Sequence, residues 1–411
     1  MSYLTKLVKS ARDKQKNRTI WQMFFVLEQL LGKNRKTVTA AIAKRARKAI
    51  DHYRPSPYRP KGIIYSVEQW LNDSVPPQME GSWLKNIFPE HLVELKRLNR
   101  TSDEICPAFS KCVKSYSFPE AHLCFFKNAR VVNEIGVVIS YDNKVFADFT
   151  SELGKPIEGH EVFKSHINKP QFKKECLATI TSTGNIGYYH WIFESLPRLK
   201  LLEEVIDEID YLIVPYNLKR FHLETLSLLG VPEEKLLKIK DGGHLLCENL
   251  FVPSVSSVSK WGCDFLRESF IPEDVTEPHR LIYISRNDAL YRKIINEREV
   301  EEYLRDIGFE IVQMSKLTFL EQVKTCAEAR IVVGPHGAGL SNTVFCLNAK
   351  ILEIFSPSYV GGFWILANQL GNEYYYLLGE DAPGNSPPPW RDFKVDMETF
   401  KSVMDEMLNG V

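Results

Sequence analysis

Three stretches of the chain set polar and charged side chains at spacings that chemistry can use. The first is Asn185-Ile186-Gly187-Tyr188-Tyr189-His190-Trp191-Ile192-Phe193-Glu194-Ser195-Leu196-Pro197-Arg198-Leu199, in which His190, Glu194 and Arg198 recur every fourth residue. At about 3.6 residues per turn they share one face of a helix that is otherwise apolar. A carboxylate one turn beyond a histidine can orient the imidazole, which titrates near about 6.5 and so accepts a proton at neutral pH. The alternative is a buried polar network with no ligand. Pro197 has no N–H to give and should kink this helix near Phe193.

The second stretch ends an apolar run in Ser285-Arg286 and continues to Arg292-Lys293. Guanidinium groups at such a strand end can grip phosphate oxygens through paired hydrogen bonds. Lys293 fits a solvated charge equally well. The third is Ile331-Val332-Val333-Gly334-Pro335-His336-Gly337-Ala338-Gly339-Leu340-Ser341-Asn342, a buried strand running into a glycine turn and a helix start. Backbone without Cβ atoms approaches a ligand closely, and the N–H groups from His336 to Gly339 point at whatever anion sits there, with a diphosphate the natural occupant. A turn serving chain reversal alone would need one glycine. The spacing is not the dinucleotide fingerprint, and Glu353 follows Gly339 by 353 − 339 = 14 residues where about 20 are usual. Glu353 ends the apolar run 350–355 and there could accept both hydroxyls of a ribose.

The elements that must position these residues alternate. Strands are expected at 177–181, 211–214 and 249–252, with helices at 187–202, 219–229 and 261–269; the pattern restarts after 272–278 with strands at 281–285, 310–314, 330–333, 350–355 and 374–378 and helices at 297–307, 318–329, 340–346 and 361–370. Runs of β-α-β units imply parallel sheets covered by helices, so two doubly wound α/β sheets in tandem are expected. An antiparallel meander is expected over 120–150, ahead of the first of them. The domain reading is a helical extension over 1–60, a first Rossmann-like domain over 61–272 that includes the meander, a second over 273–385, and a C-terminal helix within 386–411 that crosses back to the first.

Composition bounds the rest. The 411 residues, 44% hydrophobic and 25% charged, fit a globular protein of two or three units. Zero net charge conceals a basic head, with 15 Lys and Arg against 3 Asp and Glu in residues 1–60, and an acidic remainder of 37 against 49. The head carries apolar positions at helical spacing (Ile20, Phe24, Leu27, Leu31), which suits peripheral contact with anionic lipid; a solvated hairpin or a homo-oligomer contact is the alternative. No nucleic-acid recognition motif accompanies the charge. Eight cysteines without a C-x-x-C pair read as buried free thiols, and with no apolar run long enough to span a bilayer and no signal peptide the expected location is cytoplasmic, against the inner face of a membrane. D-x-D, H-E-x-x-H, Walker and G-x-S-x-G patterns are absent, so no metal site is expected and a departing diphosphate would have to meet arginines and helix N-termini.

Taken together, the His-Trp-x-x-Glu-x-Leu-Pro-Arg-Leu stretch, Ser285-Arg286 with Arg292 and Asn296-Glu297, and Gly-Pro-His-Gly-Ala-Gly-Leu-Ser-Asn over 334–342 resemble glycosyltransferase family 61, in order, over about residues 120–385. The resemblance implies a GT-B architecture of two Rossmann-like domains facing a cleft, an inverting reaction, a UDP-sugar as co-substrate, no metal or other cofactor, and a glycan or lipid-linked acceptor in surface polysaccharide synthesis. His190 and Glu194 are then the expected catalytic pair. Donor binding is expected from Asn185 and Arg198 of the first stretch and from Ser285, Arg286 and Arg292 of the second. His336, Gly337, Ala338, Gly339, Leu340 and Asn342 of the third complete it, with Glu353 beyond. Two other readings stay open: a UDP-sugar epimerase on the same architecture, and a binding or scaffold protein that performs no catalysis.

Overall fold

The computed structural model describes residues 56–96, 99–100, 115–150, 155–255, 257–356, 363–382 and 390–409. Most of the basic head, Cys106, Cys112, the expected helix start at Gly361 and the proline-rich connection from Pro383 to Pro389 lie outside them.

The first sheet has nine strands: β1 (Gly62–Ile64), β2 (Trp83–Phe88), β3 (Ala121–Val132), β4 (Val137–Ile139), β5 (Lys144–Phe146), β6 (Gln171–Thr179), β7 (Tyr211–Pro215), β8 (Leu236–Ile239) and β9 (His244–Pro253). Their order is β1-β5-β4-β3-β9-β6-β7-β8, with β2 paired to β3. The expected meander is present as β3, β4 and β5, but it is not a separate unit. Antiparallel pairing of β3 with β9, from Leu123 opposite Pro253 to Val132 opposite His244, welds it to the parallel half. Burial along β3 allows this, because Cys124, Phe126, Ala129 and Val131 are buried in one apolar cluster with Leu177, Leu250 and Val252 of the parallel strands. Only the half β9-β6-β7-β8 is parallel throughout, and its order reverses between β6 and β9.

The second sheet follows the doubly wound expectation. It comprises β10 (Arg280–Ile284), β11 (Glu310–Val312), β12 (Ala329–Pro335), β13 (Lys350–Phe355) and β14 (Glu373–Leu378), ordered β11-β10-β12-β13-β14 and parallel, with the short strand Asn99–Arg100 added at the β14 edge. Here the order reverses between β10 and β12. In open α/β sheets the strand ends at such a reversal leave a crevice, because the two connecting chains depart to opposite faces.

The helix after β6 shows what Pro197 does. It runs as an α-helical turn over Tyr188–His190, a π turn over Trp191–Ser195 and a 3₁₀ stretch over Leu196–Glu208, together called α1. Without a proline N–H the bond to Phe193 is missing, and the extra residue of the π turn absorbs the misfit. The expected single stripe is therefore broken. At about three residues per turn, four residues advance about 120° past a full turn, so Arg198 leaves the face that His190 and Glu194 share. Arg198 is buried, and it donates from Nη1 to the Thr181 carbonyl at 2.6 Å and from Nε and Nη2 to the Pro253 carbonyl at 3.1 and 2.5 Å. Thr181 lies just past β6 and Pro253 ends β9, so this guanidinium fills the reversal crevice of the first sheet.

Helices α2 (Arg220–Leu228), α3 (Lys260–Phe270), α4 (Glu297–Asp306), α5 (Phe319–Ala327), α6 (the 3₁₀ turn Ala338–Phe345), α7 (Trp364–Leu370) and α8 (Met397–Asn409) follow, and a short helix, Val67–Asp73, lies ahead of them between β1 and β2. One apolar cluster joins the halves: Trp191, Phe193 and Leu266 from the first are buried with Ile284, Phe319, Leu340 and Phe345 from the second. The expected return of α8 to the first domain is not what the chain does. Phe400, Val403, Met404 and Met407 are buried with Tyr283, Val300, Ile331 and Leu352, so α8 covers the second sheet, where its apolar stripe meets a matching surface beside α4. The six described cysteines are free thiols, five buried and Cys176 partly so.

Replacing Arg198 by Met should lower unfolding free energy by about 2–4 kcal/mol, because it strands the Thr181 and Pro253 carbonyls in the core. Denaturant melts would check it; an unchanged midpoint would mean the guanidinium is not a framework group.

Candidate active site

The reversal crevice of the second sheet is open where that of the first is filled. Between β10 and β12 a cavity of about 420 Å³ is lined by Ser285, Arg286, Pro335, Ala338, Gly339 and Asn342 from the second half and by Tyr188, Lys219, Arg220, Phe221 and Glu224 from the first. That is within the range of small-molecule sites. Ile284, Asp288, Ala289, Met314, Ser315, Leu317 and Gln322 finish its wall.

Arg286 dominates the electrostatics. Its Nη2 donates to the Tyr291 carbonyl at 3.3 Å, whereas its buried Nε has no hydrogen-bond partner, and the guanidinium forms no ion pair among the described residues. Burial lowers its pKa, and the neighbouring Arg292 charge lowers it further. A cation that is desolvated and pushed by a like charge is satisfied by an anion. The guanidinium lies across Gly337: a Cβ built there would stand 1.6 Å from Nη1 and 2.6 Å from Cζ. Gly337 has an extended φ of 168°, so its glycine is required by this close approach and not by backbone conformation. Gly339 serves the packing, since a Cβ there would come within 2.9 Å of Ile284 Cγ2.

Of the expected N–H donors, His336 is already engaged, giving its N–H to Ile354 O at 2.8 Å. The first bond of α6 runs from Leu340 N–H to Gly337 O at 3.0 Å, so Ala338 and Gly339 sit ahead of it with N–H groups that have no intrahelical acceptor. These two, with Arg286, make the anion end of the cavity.

Ser285 and the Arg286 backbone are placed by Glu297, which the resemblance motif contained without a role. Its buried Oε1 accepts from Tyr283 Oη at 3.0 Å, Ser285 Oγ at 2.9 Å and Arg286 N–H at 3.1 Å. The Ser285 hydroxyl is thus committed to its own strand end. Asn342 ties the halves together, accepting from Tyr188 Oη at 2.6 Å and donating from Nδ2 to Gln322 Oε1 at 3.0 Å. Leu340 belongs to the core and contributes shape.

His190 and Glu194 stay together on the α-to-π part of α1, with Nδ1 and Oε2 2.9 Å apart and the side chains 23% and 17% exposed. An ionised carboxylate only accepts, which places the hydrogen on Nδ1 and leaves Nε2 as the acceptor nitrogen of the ring. Neither side chain lines the cavity, whereas Tyr188 on the same helix does. Gly184, in the left-handed region at φ +80°, carries the chain so closely that a Cβ would meet His190 Cδ2 at 2.6 Å.

Seven expected donor residues do not line the cavity: His336, Gly337 and Leu340, described above, and Arg198, Asn185, Arg292 and Glu353. Arg198 fills the other crevice. Asn185 is buried, with Nδ2 given to the Glu134 carbonyl at 2.9 Å and its own carbonyl 2.9 Å from His222 Nε2. Arg292 adopts a left-handed φ of 57° and stacks over the Tyr291 ring at 5.3 Å, acting on Arg286 by its charge. Glu353 is fully buried; Oε1 lies 2.5 Å from His336 Nδ1, and Oε2 accepts from Tyr374 Oη at 2.6 Å and the Phe363 N–H at 3.3 Å. With these donors in place it presents nothing to a ribose. Lys219 and Arg220, by contrast, enter the site unforeseen. Two cations at the N-terminus of α2 oppose the helix dipole, and that misplacement was the available signal.

The fold and this crevice define an α/β protein with a cavity that Arg286 lines at a sheet reversal, and with a histidine–carboxylate pair on α1, the helix that brings Tyr188 to the same cavity. Residues 188–351 match the family model described as Glycosyltransferase 61. No match is found among curated proteins. The matched segment begins at the cavity residue Tyr188 and reaches into β13.

Gly337→Ala should push the Arg286 guanidinium off the turn and weaken binding of inorganic pyrophosphate about tenfold in calorimetry, while the melting temperature of the free protein moves little. Unaltered pyrophosphate affinity would separate Arg286 from the anion site.

Proposed function

We propose that this protein is an inverting, metal-independent glycosyltransferase of GT-B arrangement, which moves a sugar from a UDP-sugar to a glycan or lipid-linked acceptor in surface polysaccharide synthesis. The observation that carries the reading is the Arg286 guanidinium, its Nε buried without a partner, lying across Gly337 at the open crevice. In this reading the diphosphate rests on Arg286 and the Ala338 and Gly339 N–H groups, with the nucleoside in the cavity beside Phe221 and Met314. Positive charge from Arg286, Arg292 and Lys219 supplies the stabilisation of the leaving group.

The reaction is a single displacement. The acceptor hydroxyl oxygen attacks the anomeric carbon as the bond from that carbon to the diphosphate oxygen breaks, with its electron pair leaving on UDP. His190 Nε2 takes the hydroxyl proton, and Glu194 on Nδ1 offsets the charge that the imidazole gains. Attack opposite to departure inverts the anomeric centre.

Among the described residues no helix is long and apolar enough to cross a membrane. We place the enzyme against the cytoplasmic face through the basic head, net +12 over residues 1–60, where a lipid-linked acceptor would be at hand. Sedimentation with anionic vesicles at low salt should carry down the full chain and leave residues 61–411 in the supernatant; equal behaviour rejects the contact.

A thermal-shift panel of nucleotide sugars should show stabilisation by UDP and by at least one UDP-sugar, undiminished by EDTA. His190→Ala should then reduce turnover of that donor by about 10² to 10⁴ while UDP affinity stays near wild type. Collapse of UDP binding in that variant would assign His190 to the donor instead.

A further inference from the structure

A nucleoside diphosphate brings two neighbouring ribose hydroxyls, and each needs an acceptor once water is displaced from it. With Glu353 sealed by its own donors, the acceptor must come from the cavity wall, where two carboxylates stand among the described residues, Glu224 and Asp288. Glu224 is spent: Oε1 accepts from Arg220 Nε at 2.6 Å and Oε2 from the Phe319 N–H at 3.0 Å. Asp288 is exposed and accepts from the Ser315 hydroxyl through Oδ2, while Oδ1 has no hydrogen bond or ion pair among the described residues. A tight turn sets its place. The Ala289 N–H closes on the Arg286 carbonyl at 2.9 Å, and the Asn287 N–H on Ser285 Oγ at 3.3 Å fixes the start. Asp288 thus shares one turn with Arg286, and its charge acts on that guanidinium against the lowering that burial and Arg292 impose. Its partner Ser315 lies on the 3₁₀ turn Met314–Lys316 after β11, beside the Met314 that lines the cavity. The carboxylate therefore ties the Arg286 turn to the Met314 turn.

We propose that Asp288 is the ribose-recognition residue of this site, accepting from the 2′ and 3′ hydroxyls, with Ser315 as a positioning residue that orients its carboxylate. This rests on the UDP reading above, in which the diphosphate lies on Arg286 and the nucleoside beside Met314; the ribose is the part of the ligand that joins those two ends. Oδ1 offers two lone pairs and Oδ2 keeps one beyond the Ser315 bond, so one carboxylate can meet both hydroxyls. A hydrogen bond to a charged acceptor is worth about ten- to hundredfold in affinity. The same negative charge works against a diphosphate on the neighbouring Arg286. Asp288 therefore selects for the ribose and adds nothing to the grip on phosphate.

The test is calorimetry of the full chain, as wild type, Asp288→Ala and Ser315→Ala, with UDP, 2′,3′-dideoxy-UDP and inorganic pyrophosphate. Wild type should bind UDP about ten- to hundredfold more tightly than the dideoxy compound. In Asp288→Ala the two should agree within about twofold through loss of UDP affinity. The dideoxy compound and pyrophosphate should bind that variant at least as tightly as wild type, because a negative charge near Arg286 has gone. Ser315→Ala should narrow the preference by less, and a full preference in it denies Ser315 its part. Asp288 is exposed, so its variant should melt like wild type. An Asp288→Ala protein that keeps the preference for UDP overturns the proposal. So does one that weakens all three ligands equally, the mark of a structural role, and so does a wild type that binds UDP and the dideoxy compound alike. A wild type that binds neither nucleotide overturns the donor reading itself, and this inference with it.

Discussion

A desolvated cation that forms no ion pair among the described residues is an unfinished interaction, and the architecture around Arg286 keeps it so even with the Asp288 and Glu297 charges nearby. Glu297, a buried carboxylate at the start of α4, spends Oε1 on Tyr283, Ser285 and the Arg286 backbone, fixing where the arginine starts without pairing its guanidinium. Gly337 removes the one side chain that would hold the guanidinium off the turn. Arg292 adds repulsion from the far side. Burial and the Arg292 charge raise the free energy of the empty site, and an anion relieves both.

The two sheets offer a comparison within one chain. Each has a reversal of strand order and hence a crevice beyond its strand ends. In the first, Arg198 reaches in from α1 and bonds the carbonyls of both flanking strand ends, so the crevice is filled by the protein itself. In the second, the arginine belongs to the strand end and bonds one carbonyl weakly. The same residue type is a plug in one sheet and a receptor in the other. The difference lies in which acceptors surround it, and not in its charge.

Much of this was legible in the residues. The alternation of strands and helices, the glycine turn after 331–333 and the His190–Glu194 spacing each follow from local pattern, and the structure reproduces them. What failed failed for non-local reasons. Arg198 was assigned to the His190 face by counting residues, and the tighter 3₁₀ winding from Leu196 onward rotated it away. Glu353 was read as a ribose acceptor from its place on a strand, but strand position does not reveal that Tyr374 and Phe363 lie opposite. The C-terminal helix was sent to the wrong sheet because an amphipathic stripe carries no address. Lys219 and Arg220 were missed because the first sheet's share of the cavity arises only when the halves meet.

That meeting has a dynamic consequence. Because Trp191, Phe193 and Leu266 are buried in the same apolar mass as Phe319, Val344 and Phe345, swinging the halves apart would wet a large greasy seam. Tyr188 and Asn342 would be parted in the same motion. Hinge opening of the kind that separates loosely joined lobes is therefore costly here. Traffic of substrate and product must be handled by segments at the mouth of the crevice, such as the stretch from Asn287 to Ile295, while the framework behind them holds still.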